Sequence, residues 1–160
     1  MKAVNSSQIS GSIFAPASKS VMIRAVAASL LASGTSCLLN PSFCADSLAA
    51  LRVVEALGAD IRKEKESVSI KGTEGLTAEG FRSNTINCGE SGLCMRMFAP
   101  VVGLTSCRFV IEGSGSLNAR PMASLDVLTQ MGAECKTNGG YPPVAIHGPI
   151  RGGSVTLDGS

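Results

Sequence analysis

Ser18-Lys19-Ser20 followed by Arg24 sets one lysine, two hydroxyls and one arginine over the first two turns of an apolar helix. Pro16 disfavours helix ahead of it, Ser18 is a preferred N-cap, and Gly34 is a preferred stop after the apolar run. A helix N-terminus presents unpaired N–H groups and a partial positive charge to an anion. Lys19 adds a mobile cation and Arg24 can share the same rim, so the implied ligand is a small phosphate or carboxylate. The competing reading is a buried helix from which Arg24 snorkels to water.

The same logic recurs downstream. Cys88-Gly89-Glu90-Ser91-Gly92-Leu93-Cys94-Met95-Arg96 places a glycine-flanked turn ahead of a second helix, with Arg96 one turn in. Gly89 and Gly92 allow close backbone approach, so that N–H groups can cradle an oxyanion. Gly113-Ser-Gly-Ser-Leu-Asn-Ala-Arg120-Pro121 is a loop delivering an arginine to a predicted helix start, with Pro121 at the first helical position. Arg120 offers a bidentate fork to a phosphate there; otherwise it is a solvated loop arginine. Three basic helix starts with no matching acidic cluster imply a ligand carrying several negative charges. No Ser-His-Asp set or metal-ligand spacing accompanies them, and the single histidine, His147, reads as a strand-end residue.

The elements that must position these groups repeat. Leu51-Arg-Val-Val-Glu-Ala-Leu-Gly-Ala-Asp-Ile61 parallels Leu125-Asp-Val-Leu-Thr-Gln-Met-Gly-Ala-Glu-Cys135 at an offset of 74. Thr35-Ser36-Cys37 parallels Thr105-Ser106-Cys107 at an offset of 70, and Met22-Ile-Arg24 parallels Cys94-Met-Arg96 at 72. Three matches in order predict a duplicated βαβαββ unit, too long for a short-repeat solenoid. Each unit reads as a short strand, a helix with a polar start (Ser18 to Ser33; Ser91 to Val102), and a strand (Cys37 to Asn40; Cys107 to Glu112). An amphipathic helix then ends at Gly58 or Gly132. Two strands close the unit: Asp60 to Lys63 with Val68 to Lys71, then Glu134 to Lys136 with Val144 to His147. Leu51/Val54/Leu57 and Leu125/Leu128/Met131 give each second helix one apolar face. The units run from about 8 to 72 and about 83 to 148. Ser154-Val-Thr-Leu-Asp-Gly-Ser160 resembles Asn84-Thr-Ile-Asn-Cys-Gly-Glu90, so residues 151–160 read as the start of a third.

The bulk numbers narrow the class. The 160 residues are 44% hydrophobic and 16% charged, enough for a core and against disorder. A net charge of +2, no Lys/Arg run and 4% aromatic residues argue against nucleic acid as a partner. The six cysteines form no CxxC pair, and the polar N-terminus lacks a leader's apolar stretch. They read as reduced, mostly buried thiols of a cytoplasmic protein, and no apolar run is long enough to span a membrane.

Ser18-Lys19-Ser20-x-x-x-Arg24, the Gly89-to-Arg96 turn and Arg120-Pro121 together resemble the 5-enolpyruvylshikimate-3-phosphate synthases (3-phosphoshikimate 1-carboxyvinyltransferases), across essentially the whole chain. The resemblance implies an α/β fold, a partial inside-out α/β barrel of the enolpyruvyl transferase type, in which this chain supplies two of three units of the first of two domains. It implies that the extreme N-terminal strand crosses to the second domain, leaving residues before about Ala15 without partners here. It implies transfer of the enolpyruvyl group of phosphoenolpyruvate to the 5-hydroxyl of shikimate 3-phosphate, through a tetrahedral intermediate and with no metal or other cofactor. By motif, Lys19 would touch both substrates and act in catalysis. Ser20 and Arg24 would hold shikimate 3-phosphate, while Gly92 and Arg120 would hold phosphoenolpyruvate with Arg96 as a supporting cation. Glu90 and Leu93 stand where the family usually has Asn and Thr. The family's Ser-Ser-Gln phosphate cradle and acid–base carboxylates belong to the remainder beyond Ser160, so the chain alone is expected to be inactive. One alternative is a relative of the sister family, UDP-N-acetylglucosamine enolpyruvyl transferase, which lacks the Ser-Lys-Ser-x-x-x-Arg element and uses a Lys-Asn pair and a loop cysteine; none of the six cysteines here sits in a comparable basic loop. A non-catalytic anion-binding module is the alternative of a different class.

Overall fold

The computed structural model describes residue 3 and residues 5–156. Its elements run α1 (Lys19–Leu31), β1 (Thr35–Leu39), α2 (Ala45–Ala56), β2 (Asp60–Lys63), β3 (Ser67–Lys71), β4 (Thr85–Asn87), α3 (Gly92–Val102), β5 (Arg108–Glu112), α4 (Val127–Gln130), β6 (Glu134–Asn138) and β7 (Tyr141–His147). The helices α1 and α3 start by one device. Ser18 and Ser91 sit in extended conformation, and each hydroxyl accepts the N–H three residues on, from Val21 and Cys94, at 3.3 Å. Such a cap is worth about 1 kcal/mol.

The strands form two sheets, β1-β3-β2 and β4-β5-β7-β6. All pairs are antiparallel except β4 with β5, which the crossover through α3 makes parallel. Position by position, β1, β3 and β2 of the first sheet match β5, β7 and β6 of the second. The duplication read from the sequence is therefore present in the strand order. Alternation buries Val68 and Ile70 of β3, Phe109 and Ile111 of β5, and Val144 and Ile146 of β7. These residues join Ile23, Val26 and Leu30 of α1, Leu51 and Val54 of α2, and Met95, Phe98 and Val102 of α3 in one apolar cluster. Phe81, between the units, packs edge-on against Phe109 with ring centroids 5.0 Å apart. The apolar faces of the three long helices and of both sheets meet in this cluster. Among the described residues no helix is long and apolar enough to cross a membrane.

Four expectations need correction. First, the strand expected ahead of α1 is absent: residues 5–18 join no ladder, and Ile9, Ile13 and Phe14 are almost fully exposed. The first sheet accordingly lacks a counterpart of β4. Second, the helix expected to end at Gly132 is a 3-10 turn over Ala123–Asp126 followed by a single α turn. Like these two pieces, α2 lacks a side-chain cap, and it carries Val53-Val54, but its four alanines and two leucines favour helix, whereas the unit-two segment has a single alanine, Ala123. Third, Pro121 is not a first helical residue; it lies between two 3-10 turns, Gly115–Ala119 and Ala123–Asp126. Fourth, only Cys88 and Cys94 are buried; Cys37 and Cys44 are exposed, Cys107 and Cys135 half-buried, and all six are free thiols. Cys107 also precedes β5, which begins at Arg108. Residues 151–156 carry no regular element, and 157–160 of the expected third-unit strand lie outside the described residues.

The two units close in the same way. Gly72, after β3, lies against the Ala32 and Ser29 carbonyls at the end of α1, and Gly148, after β7, lies against the Gly103 and Thr105 carbonyls beyond α3. A Cβ at either glycine would run into these oxygens, which are backbone and cannot swing aside. Gly72→Ala and Gly148→Ala are each expected to lower stability by about 3 kcal/mol, read as an earlier midpoint in urea; an unchanged midpoint for both would refute this account of the corner.

Candidate anion-binding site at two helix starts

The α1 and α3 starts supply the groups that the sequence singles out. At α1, Lys19 Nζ lies 2.9 Å from Asp46 Oδ2, with the lysine half-exposed. Asp46 stands in the first turn of α2, where the helix end itself favours a carboxylate. The hydrogen bond and charge of Asp46 raise the Lys19 pKa above the ordinary lysine value, while nearby Arg120 acts weakly in the opposite sense. Lys19 is thus a firmly protonated cation, tethered rather than free.

At α3, two guanidinium groups stand over Gly92. A Cβ built there would fall 2.7 Å from Arg96 Nη1 and 3.7 Å from Arg120 Nη1. Arg96 Nη2 donates to the Pro121 carbonyl at 2.9 Å, and Arg120 Nη2 donates to Ser116 Oγ at 3.0 Å. Glu90 Oε2 accepts the Ser116 N–H at 2.9 Å. The Ser116 contacts lead, and nearby Arg120 assists, in holding the Glu90 carboxyl below the usual carboxylate range. N–H groups in the first turn of α3 have no intrahelical acceptor. An anion set there meets backbone donors from one side and two guanidiniums from another.

Of the predicted residues, Lys19, Gly92, Arg96 and Arg120 belong to this neighbourhood. Ser20 and Arg24 lie one turn apart on an adjoining face of α1, where exposed Arg24 turns back to donate from Nη1 to the Ser20 carbonyl at 3.0 Å. His147 ends β7 with Nδ1 3.7 Å from Glu134 Oε1, away from the site. A cavity of about 460 Å3 opens beside α1, lined by Ser18, Val21, Ala25 and residues 37–42 among others. It is chiefly apolar and includes none of the cations, so it does not suit a phosphate.

Two single acids accompany the cations: Glu90, which the sequence reading singles out, and Asp46, which it does not. Asp46 was missed because nothing in its own neighbourhood marks it. The repeat carries the signal, since the offset of 74 sets Asp46 opposite Arg120. The two positions carry opposite charge, Asp46 within the first turn of α2 and Arg120 just ahead of the Ala123–Asp126 turn. Asp46→Asn is expected to bring the Lys19 ammonium pKa back down toward the ordinary lysine value, followed by the pH dependence of its side-chain NMR signals; an unmoved titration would mean that Asp46 does not control the charge.

Comparison with known proteins extends this reading. The sequence model of the EPSP synthase family (3-phosphoshikimate 1-carboxyvinyltransferase) matches residues 4–160. A 3-phosphoshikimate 1-carboxyvinyltransferase of Methanosarcina mazei is 37% identical over 160 residues, covering 98% of this chain and 36% of the relative. That of Methanocorpusculum labreanum is 38% identical over 157 residues, covering 98% and 37%. The solved structure of EPSP synthase from Acinetobacter baumannii superposes with a TM-score of 0.76 at 30% identity, over 86% of this chain and 32% of that one. The chain spans little more than a third of the length of these curated relatives. With its duplicated unit, its paired helix starts and a family match over nearly every residue, the chain belongs to the EPSP synthase family.

Proposed function

We propose that this chain forms part of the first domain, and one wall of the active site, of an enzyme that transfers the enolpyruvyl group of phosphoenolpyruvate to the 5-hydroxyl of shikimate 3-phosphate. The observation that carries the reading is the pair of guanidiniums, Arg96 and Arg120, over Gly92, with Lys19 nearby. In this reading the phosphate of phosphoenolpyruvate sits at the α3 start, on backbone N–H groups and the Arg120 fork. Ser20 and Arg24 face shikimate 3-phosphate along α1. Lys19 stands between the two ligands, and an incoming phosphate oxygen competes with Asp46 for its ammonium. Reduced thiols support a cytoplasmic setting for the reaction.

The chemistry adds the 5-hydroxyl oxygen to C2 of phosphoenolpyruvate while C3 gains a proton and the hydroxyl loses one. Elimination then breaks the C2–O bond to phosphate and removes a proton from C3. Charge builds on the phosphate as it leaves, and fixed cations aimed at it lower that barrier. Lys19, Arg96 and Arg120 meet this need from one side. Proton transfer to and from C3 needs groups on the other face, which we assign to sequence beyond this chain. The relatives named above carry the shikimate enzyme's name, which favours that acceptor over a nucleotide sugar.

Titration of the 160-residue chain with shikimate 3-phosphate is expected to shift the amide signals of Lys19, Ser20, Arg24 and Arg120, and phosphoenolpyruvate those of Gly92, Arg96 and Arg120. Lys19→Ala should weaken both ligands about tenfold, as the loss of one charge-assisted contact does. Well-dispersed signals that move with neither ligand would count against the assignment. With both substrates present, the chain alone should release no phosphate, and measurable release would show that one wall suffices for turnover.

A further inference from the structure

We propose that Glu90 is a positioning residue, whose carboxylate fastens the Gly113–Arg120 loop to the turn ahead of α3 and so sets the Arg120 guanidinium over Gly92. The idea rests on reading the α3 start as the phosphoenolpyruvate subsite. Beyond the β4–β5 ladder, which the Cys88 N–H continues by donating to the Glu112 carbonyl at 2.9 Å, two contacts join loop and turn: Ser114 N–H donates to the Gly89 carbonyl at 2.8 Å, and Ser116 N–H to Glu90 Oε2 at 2.9 Å. The second is the one made by a side chain, and it falls on the residue whose hydroxyl receives Arg120 Nη2 at 3.0 Å. Glu90, Ser116 and Arg120 therefore form one chain of hydrogen bonds ending above Gly92.

The backbone is shaped for this contact. Gly115 has φ +52°, and a Cβ there would lie 2.6 Å from Glu90 Cδ, so a larger residue would push the carboxylate off the loop. On its other side the loop is anchored by Leu117, which is fully buried. Arg120 itself is exposed, and its long side chain would sample many rotamers without the Ser116 tie. A carboxylate beside an anion site opposes the ligand through its charge, so its value here lies in geometry.

Two neutral replacements separate geometry from charge. Glu90→Gln keeps an acceptor for the Ser116 N–H, and Glu90→Ala removes it. In the 160-residue chain, Glu90→Gln should preserve the distinct Arg120 Nε–H resonance and the slow exchange of the Ser116 amide. Glu90→Ala should collapse that resonance toward the position of free arginine. Phosphoenolpyruvate should bind Glu90→Ala about tenfold more weakly than Glu90→Gln, and in the Arg120→Ala background the two should bind alike. An equal Arg120 resonance in both variants would overturn the proposal, as would an affinity difference that survives Arg120→Ala. If neither wild type nor variant binds phosphoenolpyruvate, the subsite reading fails, while the Arg120 resonance still decides whether Glu90 positions it. Should Glu90→Ala not fold, Ser116→Ala keeps the N–H and removes only the hydroxyl; it must loosen Arg120, and an unchanged resonance there refutes the chain of contacts.

Discussion

The apolar cluster shared by α1, α2, α3 and both sheets holds Lys19, Arg96 and Arg120 in one neighbourhood, although Coulomb repulsion alone would separate them. Two like charges a few ångströms apart near a protein surface repel by a few kcal/mol. Each fully buried side chain such as Ile23, Leu51, Met95 or Phe98 contributes roughly 1.5–3 kcal/mol in return. A handful of these contacts outweighs the repulsion, and the cluster contains many more. The folded chain thus holds positive charge together against its own repulsion.

The acids reduce that repulsion without cancelling the site. Asp46 tethers Lys19 from the α2 start, and Glu90 occupies the loop that carries Arg120. Each sits beside the cations while engaging a specific donor, an ammonium in one case and a backbone N–H in the other. Both contacts restrict side chains or backbone that would otherwise be freer to move. The duplication supplies the framework for this arrangement. Equivalent helix starts and equivalent second segments face a common space, and divergence at Asp46 and Arg120 makes them complementary rather than identical.

A fold assembled this way explains why some parts depart from strict repetition. The second sheet has β4 and the first has no equivalent, since residues 5–18 lie extended with Ile9, Ile13 and Phe14 in solvent. The second segment of unit two is shortened to a 3-10 turn and one α turn, and the carbonyl of Pro121 just before it is taken by Arg96. A regular helix starting at Pro121 would direct that carbonyl along its own axis. The irregular segment instead lets Arg96 and Arg120 converge on Gly92.

Local chemistry was enough to read the repeat, the serine caps and the helix–Gly-Ala–strand corners, because caps, periodicity and turn residues act over a few positions. The unit pattern alone suggested an opening strand, and only the family resemblance implied that residues before about Ala15 lack partners here; the shortened α4 was not legible, since a marginal helix depends on what it packs against. The same limit applied at the site. Arg24 and Arg120 look alike in sequence, yet one folds onto the Ser20 carbonyl and the other reaches Gly92. Asp46 lies 27 residues from Lys19 along the chain and Glu90 lies 26 from Ser116. The sequence by itself determined which charged groups are available and where helices begin. The tertiary structure decided which of them share a space, because contacts across such separations are set by core packing and not by local preference.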